Sequence, residues 1–122
     1  RQRQMCIRDS NTSTTRKEDL THRFYTLMMD NYREHKEVIF YADKLHVSSK
    51  YLSEVVKETS GKSPKDWIID YSLLEIKELL KNSSLNIQEI TIRTKFLNQS
   101  ALGRFFKRHT NMSPSEYRES TY

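Results

Sequence analysis

Residues 86–117 read NIQEITIRTKFLNQSALGRFFKRHTNMSPSEY and predict a short helix, a tight turn, a second helix and a capped third helix. Asn86 is a good N-cap residue, and Glu89, three residues later, completes the pattern of a capping box. Asn98 can cap the second helix, whose polar face carries arginine, lysine and amide side chains. Two short helices across a tight turn, with hydrogen-bond donors on the second, suit insertion into a DNA major groove.

An earlier part of the chain repeats this pattern. Residues 57–67, KETSGKSPKDW, match residues 107–117, KRHTNMSPSEY, at an offset of 50 residues. Upstream, residues 38–56 read again as helix, turn and helix, and His46 lies where that turn needs a left-handed backbone, which His tolerates better than most residues. Two copies are too few for a solenoid. The sequence therefore predicts two related half-domains.

The predicted fold class is all-α, with two helix-turn-helix subdomains joined by a long linker helix and about seven helices in total. The chain contains only two Gly and two Pro residues, and its apolar residues recur at helical spacing. Within a DNA-binding domain spanning 17–122, the predicted segments are a first motif at 37–61, a linker helix at 63–81, a second motif at 86–111 and a terminal helix at 113–119.

The first ten residues, RQRQMCIRDS, look like the translation of a transposase adapter used in sequencing-library preparation. We therefore expect residues 1–10 to be non-native, with a natural basic disordered arm as the alternative, and exclude them from the fold prediction. Cys6 is the only cysteine, so the remainder of the chain is expected to hold no disulfide and no thiolate metal site. Residues 11–16 are rich in Ser and Thr, which predicts a disordered segment or linker.

The chain is moderately basic and strongly polar. The formal net charge is +5, and it is +3 without residues 1–10, which contain three arginines and one aspartate. Such a charge permits nucleic-acid binding but also occurs in many other domains. A mean hydropathy of −0.83 predicts a soluble protein with no membrane span. The four histidines lack metal-ligand spacing, and no phosphate-binding loop or nucleophile elbow is present, so we expect no catalysis, metal or cofactor.

Residues 37–118 resemble the DNA-binding domain of AraC/XylS-type transcription regulators. The resemblance is carried by short segments at 42–45 (ADKL), 51–53 (YLS), 61–64 (GKSP), 79–80 (LL), 87–90 (IQEI), 96 (F), 104–107 (RFFK) and 113–117 (SPSEY). It implies a bacterial, cytoplasmic, nucleoid-associated regulator that binds double-stranded DNA through both motifs, in successive major-groove segments. It also implies RNA polymerase as a partner and an N-terminal sensor or dimerisation domain that is missing from this fragment.

Several residues depart from the family pattern. Lys95 stands where the second turn usually has Gly, which costs backbone strain. Asn111 replaces another Gly, a mild change because Asn tolerates the left-handed region. Gly103 lies inside the second recognition helix and weakens it by about 1 kcal/mol relative to Ala.

The resemblance, taken residue by residue, gives two sets of site residues. The expected base contacts are Ser49, Lys50, Ser53 and Glu54 in the first recognition helix and Gln99, Ser100 and Arg104 in the second. Arg can pair with guanine, Gln with adenine, and Glu can accept a hydrogen bond from cytosine. The expected phosphate contacts lie at the ends of recognition helices or beside helix N-termini; they are Lys57, Lys62, Lys65, Lys107 and Arg108.

Structural alternatives exist for these residues and for the module as a whole. Arg104 could form an ion pair with Glu116 or Asp66. Glu54 could pair with a lysine one helical turn away, Lys50 or Lys57. The alternative function is a helical protein-interaction module that has kept the fold and lost DNA binding. Steep salt dependence of DNA affinity would separate the two functions.

Overall fold

A computed structural model describes residues 12–120, so the prediction for residues 1–10 lies outside the described part of the chain. The described residues form seven helices and no strand, which confirms the predicted fold class. The helices are α1 (Thr12–Asn31), α2 (Val38–Lys44), α3 (Ser49–Ser60), α4 (Pro64–Asn82), α5 (Ile87–Arg93), α6 (Gln99–Thr110) and α7 (Pro114–Glu119).

Helix α1 begins earlier than the sequence predicted. Residues 12–16 belong to the helix, where we expected a disordered segment or linker. Neither Gly nor Pro interrupts the chain from Thr12 to Asn31. Adding a residue to an existing helix costs far less than nucleating a new one. The helix formed by the residues after Arg16 therefore extends toward the N-terminus into the Ser/Thr-rich segment.

The chain divides into two compact units, and the boundary between Ile68 and Ile69 falls within α4. The core of the first unit draws on α1, α2, α3 and the start of α4, and it consists of Phe24, Met28, Tyr41, Ala42, Leu52, Val55, Val56 and Ile68. The rings of Phe24 and Tyr41 meet edge to face with centroids 5.5 Å apart. The Tyr41 hydroxyl donates to the carbonyl oxygen of His35 at 2.6 Å, and burial raises the pKa of Tyr41 above its usual range.

The core of the second unit lies between α4, α5 and α6, and it consists of Ile76, Leu80, Ile90, Leu102 and Phe106. Phe106 packs edge to face on Tyr117, with ring centroids 5.4 Å apart. Leu74 also lies on α4, but it is 59% exposed. The buried residues Ile76 and Leu80 are four positions apart on one face of the helix, and Leu74 faces away from that stripe.

Helix α7 is attached to the C-terminal end of α4. Arg118 donates from Nε to the carbonyl oxygen of Leu80 at 2.9 Å, and Lys81 donates from Nζ to the carbonyl oxygen of Ser120 at 2.6 Å. The last carbonyl groups of a helix have no partner within the helix, so a cation that bonds to them stabilises its end. These contacts fix α7 in the second unit.

The two predicted recognition helices, α3 and α6, begin and end in the same way. Ser48 and Asn98 are the N-caps, and each side chain accepts a hydrogen bond from the backbone N–H three residues later, at 3.0 Å and 2.8 Å. Gly61 and Asn111 follow the helices in the left-handed conformation, at φ of 86° and 66°. The predicted N-cap of α6 and the left-handed residue that follows this helix are confirmed.

Candidate nucleic-acid interface

Each unit places its recognition helix after the same kind of tight turn. His46 and Lys95 occupy equivalent positions, with φ of 62° and 65°. The left-handed conformation predicted for His46 is therefore confirmed. The second motif has the same conformation at Lys95, although this residue is not Gly. The next residue in each turn, Val47 or Phe96, donates its backbone N–H to the carbonyl oxygen five residues earlier, at 3.0 Å and 3.1 Å. The two turns therefore share one left-handed residue and one backbone hydrogen bond, and each turn joins its two helices in the same way.

The base-contact candidates of α3 divide by exposure. Lys50 and Glu54 are exposed, whereas Ser49 and Ser53 are half-buried. The ion pairs of the described residues do not include one between Glu54 and either Lys50 or Lys57. The alternative of a helix-surface ion pair is therefore not seen, and the Glu54 carboxylate is open to a partner outside the helix.

The three base-contact candidates of α6 are all exposed: Gln99, Ser100 and Arg104. Glu116, one suggested ion-pair partner of Arg104, instead accepts a hydrogen bond from the backbone N–H of Ser113 at 2.7 Å, within a capping box. This hydrogen bond, together with the charge of Lys107, lowers the pKa of Glu116. Within the described part of the second unit, Arg104 has no ion pair and can donate to a ligand.

Gln88 is a residue of this face that the sequence analysis did not identify. It lies on α5, and its side-chain Oε1 accepts a hydrogen bond from Nε2 of Gln99 at 2.7 Å. Both side chains are exposed, so the pair lies on the surface between the two helices of the second motif. The bond restricts the Gln99 amide while leaving part of its hydrogen-bonding capacity available. Sequence spacing offers no signal for it, since the two residues are on different helices.

Four of the five phosphate-contact candidates are exposed. Lys57 lies in the last turn of α3 and Lys65 in the first turn of α4, and the last turn of α6 holds Lys107 and Arg108. Lys62 differs, because it is half-buried and its Nζ lies 4.2 Å from the centroid of the Trp67 ring. A cation held over an aromatic ring is less available to a phosphate.

Two further exposed cations border the second turn, and the sequence analysis did not count them as phosphate contacts. Arg93 ends α5, and Lys95 follows it in the turn itself. Lys95 is also the residue that departs from the usual Gly of this turn. Its charge and its position just before a recognition helix were the signal that would have identified it.

The two recognition helices carry different charges. Helix α3 contains two lysines and two glutamates, so its formal charge is zero. Helix α6 contains Arg104, Lys107 and Arg108 and no acidic residue, so its formal charge is +3 with His109 neutral. Electrostatic attraction of a polyanion is therefore stronger at the helix of the second motif.

Over residues 12–120, the His, Cys, Asp and Glu side chains form no group of three that could hold a metal ion. None of the helices in this range combines the length and the apolar composition needed to cross a bilayer.

Comparison with known proteins gives three kinds of match. A family model described as a helix-turn-helix domain matches residues 41–120. The msm operon regulatory protein of Streptococcus mutans is 31% identical over 78 residues, which are 64% of this chain and 28% of that protein. The chain spans 27–32% of the length of three such curated relatives.

Two solved structures share this fold. The C-terminal domain of AraT, a response regulator from Geobacillus stearothermophilus, is 25% identical with a TM-score of 0.75, covering 84% of this chain and 85% of that one. The DNA-binding domain of AdpA, solved in complex with a target DNA, is 23% identical with a TM-score of 0.69, covering 80% and 88%. At 23% identity, the similarity to the AdpA domain shows a shared fold and nothing more.

Proposed function

Because this chain belongs to the AraC-type family of helix-turn-helix domains, which bind DNA in transcription regulators and are not enzymes, we propose that both of its motifs bind double-stranded DNA sequence-specifically. Each recognition helix enters the major groove, and the two half-sites lie about 10 bp apart, one turn of the double helix. The module thereby recruits its regulator to an operator.

The exposed face of α6 carries this proposal. Gln99, Ser100 and Arg104 present donors to solvent, and Arg104 is not engaged by an acidic residue of the described second unit. The same helix ends in Lys107 and Arg108. A face with amide and guanidinium groups near its start and cations near its end matches what a major groove and its flanking phosphates offer.

The roles follow from the chemistry of each side chain. Arg104 pairs with O6 and N7 of a guanine, and Gln99 pairs with an adenine while Gln88 restricts its amide. On α3, Lys50 also pairs with guanine, Glu54 accepts from a cytosine amine, and Ser49, Ser53 and Ser100 supply hydroxyl groups. The phosphate contacts are Lys57, Lys65, Lys107 and Arg108, with a smaller part for Lys62.

The first test is selection of binding sites by the 122-residue chain from a random duplex library at two salt concentrations, followed by sequencing. We expect a bipartite site with halves about 10 bp apart. The affinity should fall steeply as salt rises, because neutralised phosphates release counterions. A folded chain that enriches no sequence would contradict the proposal and favour the alternative of a protein-interaction module.

Two matched substitutions in α6 then separate base reading from phosphate binding. Arg104→Ala should relax the preference at one base pair, at a cost of about 1–3 kcal/mol for the preferred base. Lys107→Ala should weaken binding to every sequence alike and reduce the salt slope by about 1. If Arg104→Ala instead weakens all sequences equally while unfolding the chain, Arg104 has a structural role.

RNA polymerase and an N-terminal sensor or dimerisation domain stay predictions for the whole protein. The relatives that suggest them are matched over only 27–32% of their length. Co-purification of RNA polymerase with the operator-bound chain would test the first of these partners.

A further inference from the structure

Leu97 is the most exposed large hydrophobic residue of the described chain, with 91% of its surface accessible. It precedes Asn98, the N-cap of α6, and so it lies at the point where the second turn joins the recognition helix. Single exposed apolar residues are common on proteins. The position of this one, rather than its exposure alone, calls for an explanation.

Leu97 has no counterpart in the first motif. The turn residues His46 and Lys95 are 49 positions apart in the chain, whereas the N-caps Ser48 and Asn98 are 50 positions apart. The second turn therefore contains one additional residue between the left-handed residue and the N-cap. Phe96, which packs against the core of the second unit, makes the turn hydrogen bond that Val47 makes in the first motif. The additional residue is Leu97.

Neither the turn nor the core needs the Leu97 side chain. The turn hydrogen bond is made by Phe96, and the helix start is satisfied by the Asn98 side chain. With nine-tenths of its surface in solvent, Leu97 buries almost nothing on folding. The Leu97 side chain is therefore available for contact with another molecule.

The surroundings of Leu97 favour DNA over a protein as that molecule. Lys95 is exposed two residues before it, and Gln99 and Ser100 are exposed directly after the N-cap. An apolar side chain among donors and cations is poorly suited to a hydrophobic protein interface, whose core excludes charge. The major groove of DNA, in contrast, combines acceptors with one apolar group, the C5-methyl of thymine.

We propose that Leu97 is a specificity-determining residue that contacts the C5-methyl group of a thymine beside the bases read by Gln99 and Ser100. This inference rests on the proposed function. In a helix-turn-helix motif the N-terminal residues of the recognition helix reach the base edges, and a residue that precedes its N-cap lies at the edge of the same groove. The first motif lacks the additional residue and makes no equivalent contact.

The test combines a protein change with the removal of one methyl group from DNA. Each thymine of the selected site is replaced in turn by deoxyuridine, and the affinities of the unchanged chain, Leu97→Ala and Leu74→Ala are measured. Leu74→Ala is the matched control, because Leu74 is also an exposed leucine of the second unit but lies on α4. Both substituted side chains are exposed, so neither variant should unfold.

At one thymine in the half-site of the second motif, we expect replacement by deoxyuridine to weaken binding of the unchanged chain about four-fold. This change in affinity corresponds to about 0.8 kcal/mol, the free energy of burying one methyl or methylene group. Leu97→Ala should bind the thymine and deoxyuridine duplexes equally, both about as weakly as the unchanged chain binds deoxyuridine. Leu74→Ala should behave as the unchanged chain does.

Other outcomes overturn the inference in distinguishable ways. If the chain selects a site and no deoxyuridine substitution affects it, or if the effect is the same in Leu97→Ala, Leu97 does not read a thymine methyl and the proposed function stands. If the chain selects no site, both the inference and the proposed function fail.

Discussion

The two helix-turn-helix motifs share a backbone arrangement and differ in surface charge. Helix α3 balances two lysines with two glutamates, and one of these, Glu58, forms an ion pair with Lys17 of α1 at 3.1 Å. Helix α6 has three cations and no acidic residue. A repeated pattern of caps and turns therefore preserves the shape of a motif while leaving its electrostatic role free to change.

The cores beneath these helices also differ. Val56 of α3 and Phe106 of α6 are equivalent by the 50-residue offset, and both are fully buried. The second unit fills this position with a ring that packs on Tyr117, with centroids 5.4 Å apart. We therefore expect the stability of the second motif to depend more on a single side chain than that of the first motif.

The largest expected effect tests this difference in the cores. Phe106→Ala should lower the free energy of unfolding by about 3–5 kcal/mol, because it leaves a cavity where a ring was packed. Val56→Ala should cost about 2 kcal/mol, since only two methyl groups are removed. Urea unfolding followed by circular dichroism measures both. Equal losses would show that the two cores are equivalent in spite of the difference in side-chain size.

A smaller effect is expected at the two turns. Lys95→Gly should raise the free energy of unfolding by about 0.5–1 kcal/mol, because relief of the left-handed strain exceeds the added entropy of the unfolded chain. His46→Gly should gain less, since His tolerates this region better than Lys. Lys95→Ala is the control, because it removes the charge and keeps the strain. A Lys95→Gly chain no more stable than Lys95→Ala would show that the turn is unstrained.

The smallest effect concerns the starts of α4 and α7. Glu116 completes a capping box with Ser113, whereas at the equivalent acid, Asp66, the bond formed is the one that its backbone N–H donates to the hydroxyl oxygen of Ser63 at 3.2 Å. The hydrogen bond from the backbone N–H of Ser113 lowers the pKa of Glu116 in the folded state below its ordinary value of 4.5. The stabilisation from the ionised Glu116 carboxylate is therefore complete at a pH well above 4.5. It is lost as the pH falls through the lower pKa that this group has in the folded state.

Glu116→Gln should consequently reduce the loss of stability between about pH 7 and about pH 3, because the substituted amide does not titrate. The measurement is the urea midpoint at both pH values, with Asp66→Asn as the matched variant in the first unit. An unchanged pH dependence in Glu116→Gln would mean that the capping box does not favour the ionised carboxylate.

Local structure was largely predictable from the sequence, and the second motif shows why. The Asn86–Glu89 capping box, the Asn98 cap and the left-handed residue after α6 were all identified from residue type and spacing, and all are observed. Each depends on a side chain and a backbone group within a few residues of each other. The start of α1 was the exception, because a Ser/Thr-rich composition says little about whether an adjacent helix extends into it.

The site was predictable only as a set of surface positions. The residues proposed on α6 are exposed as expected, but the hydrogen bond between Gln88 and Gln99 and the outward position of Leu97 were not anticipated. The additional residue in the second turn became visible only from the backbone hydrogen bonds. The placing of Lys62 over Trp67 was likewise not evident from the chain.

Helix starts, helix ends, turn conformations and the repeat are properties of this amino-acid sequence alone, because they depend on interactions between residues close together in the chain. The attachment of Arg118 to the end of α4, the choice of Phe96 over Leu97 for the core and the pairing of Gln88 with Gln99 depend on packing. Those contacts join groups on different helices or compete for one place in a core. Their outcome follows from which surfaces the folded chain brings together, and no local spacing rule contains that information.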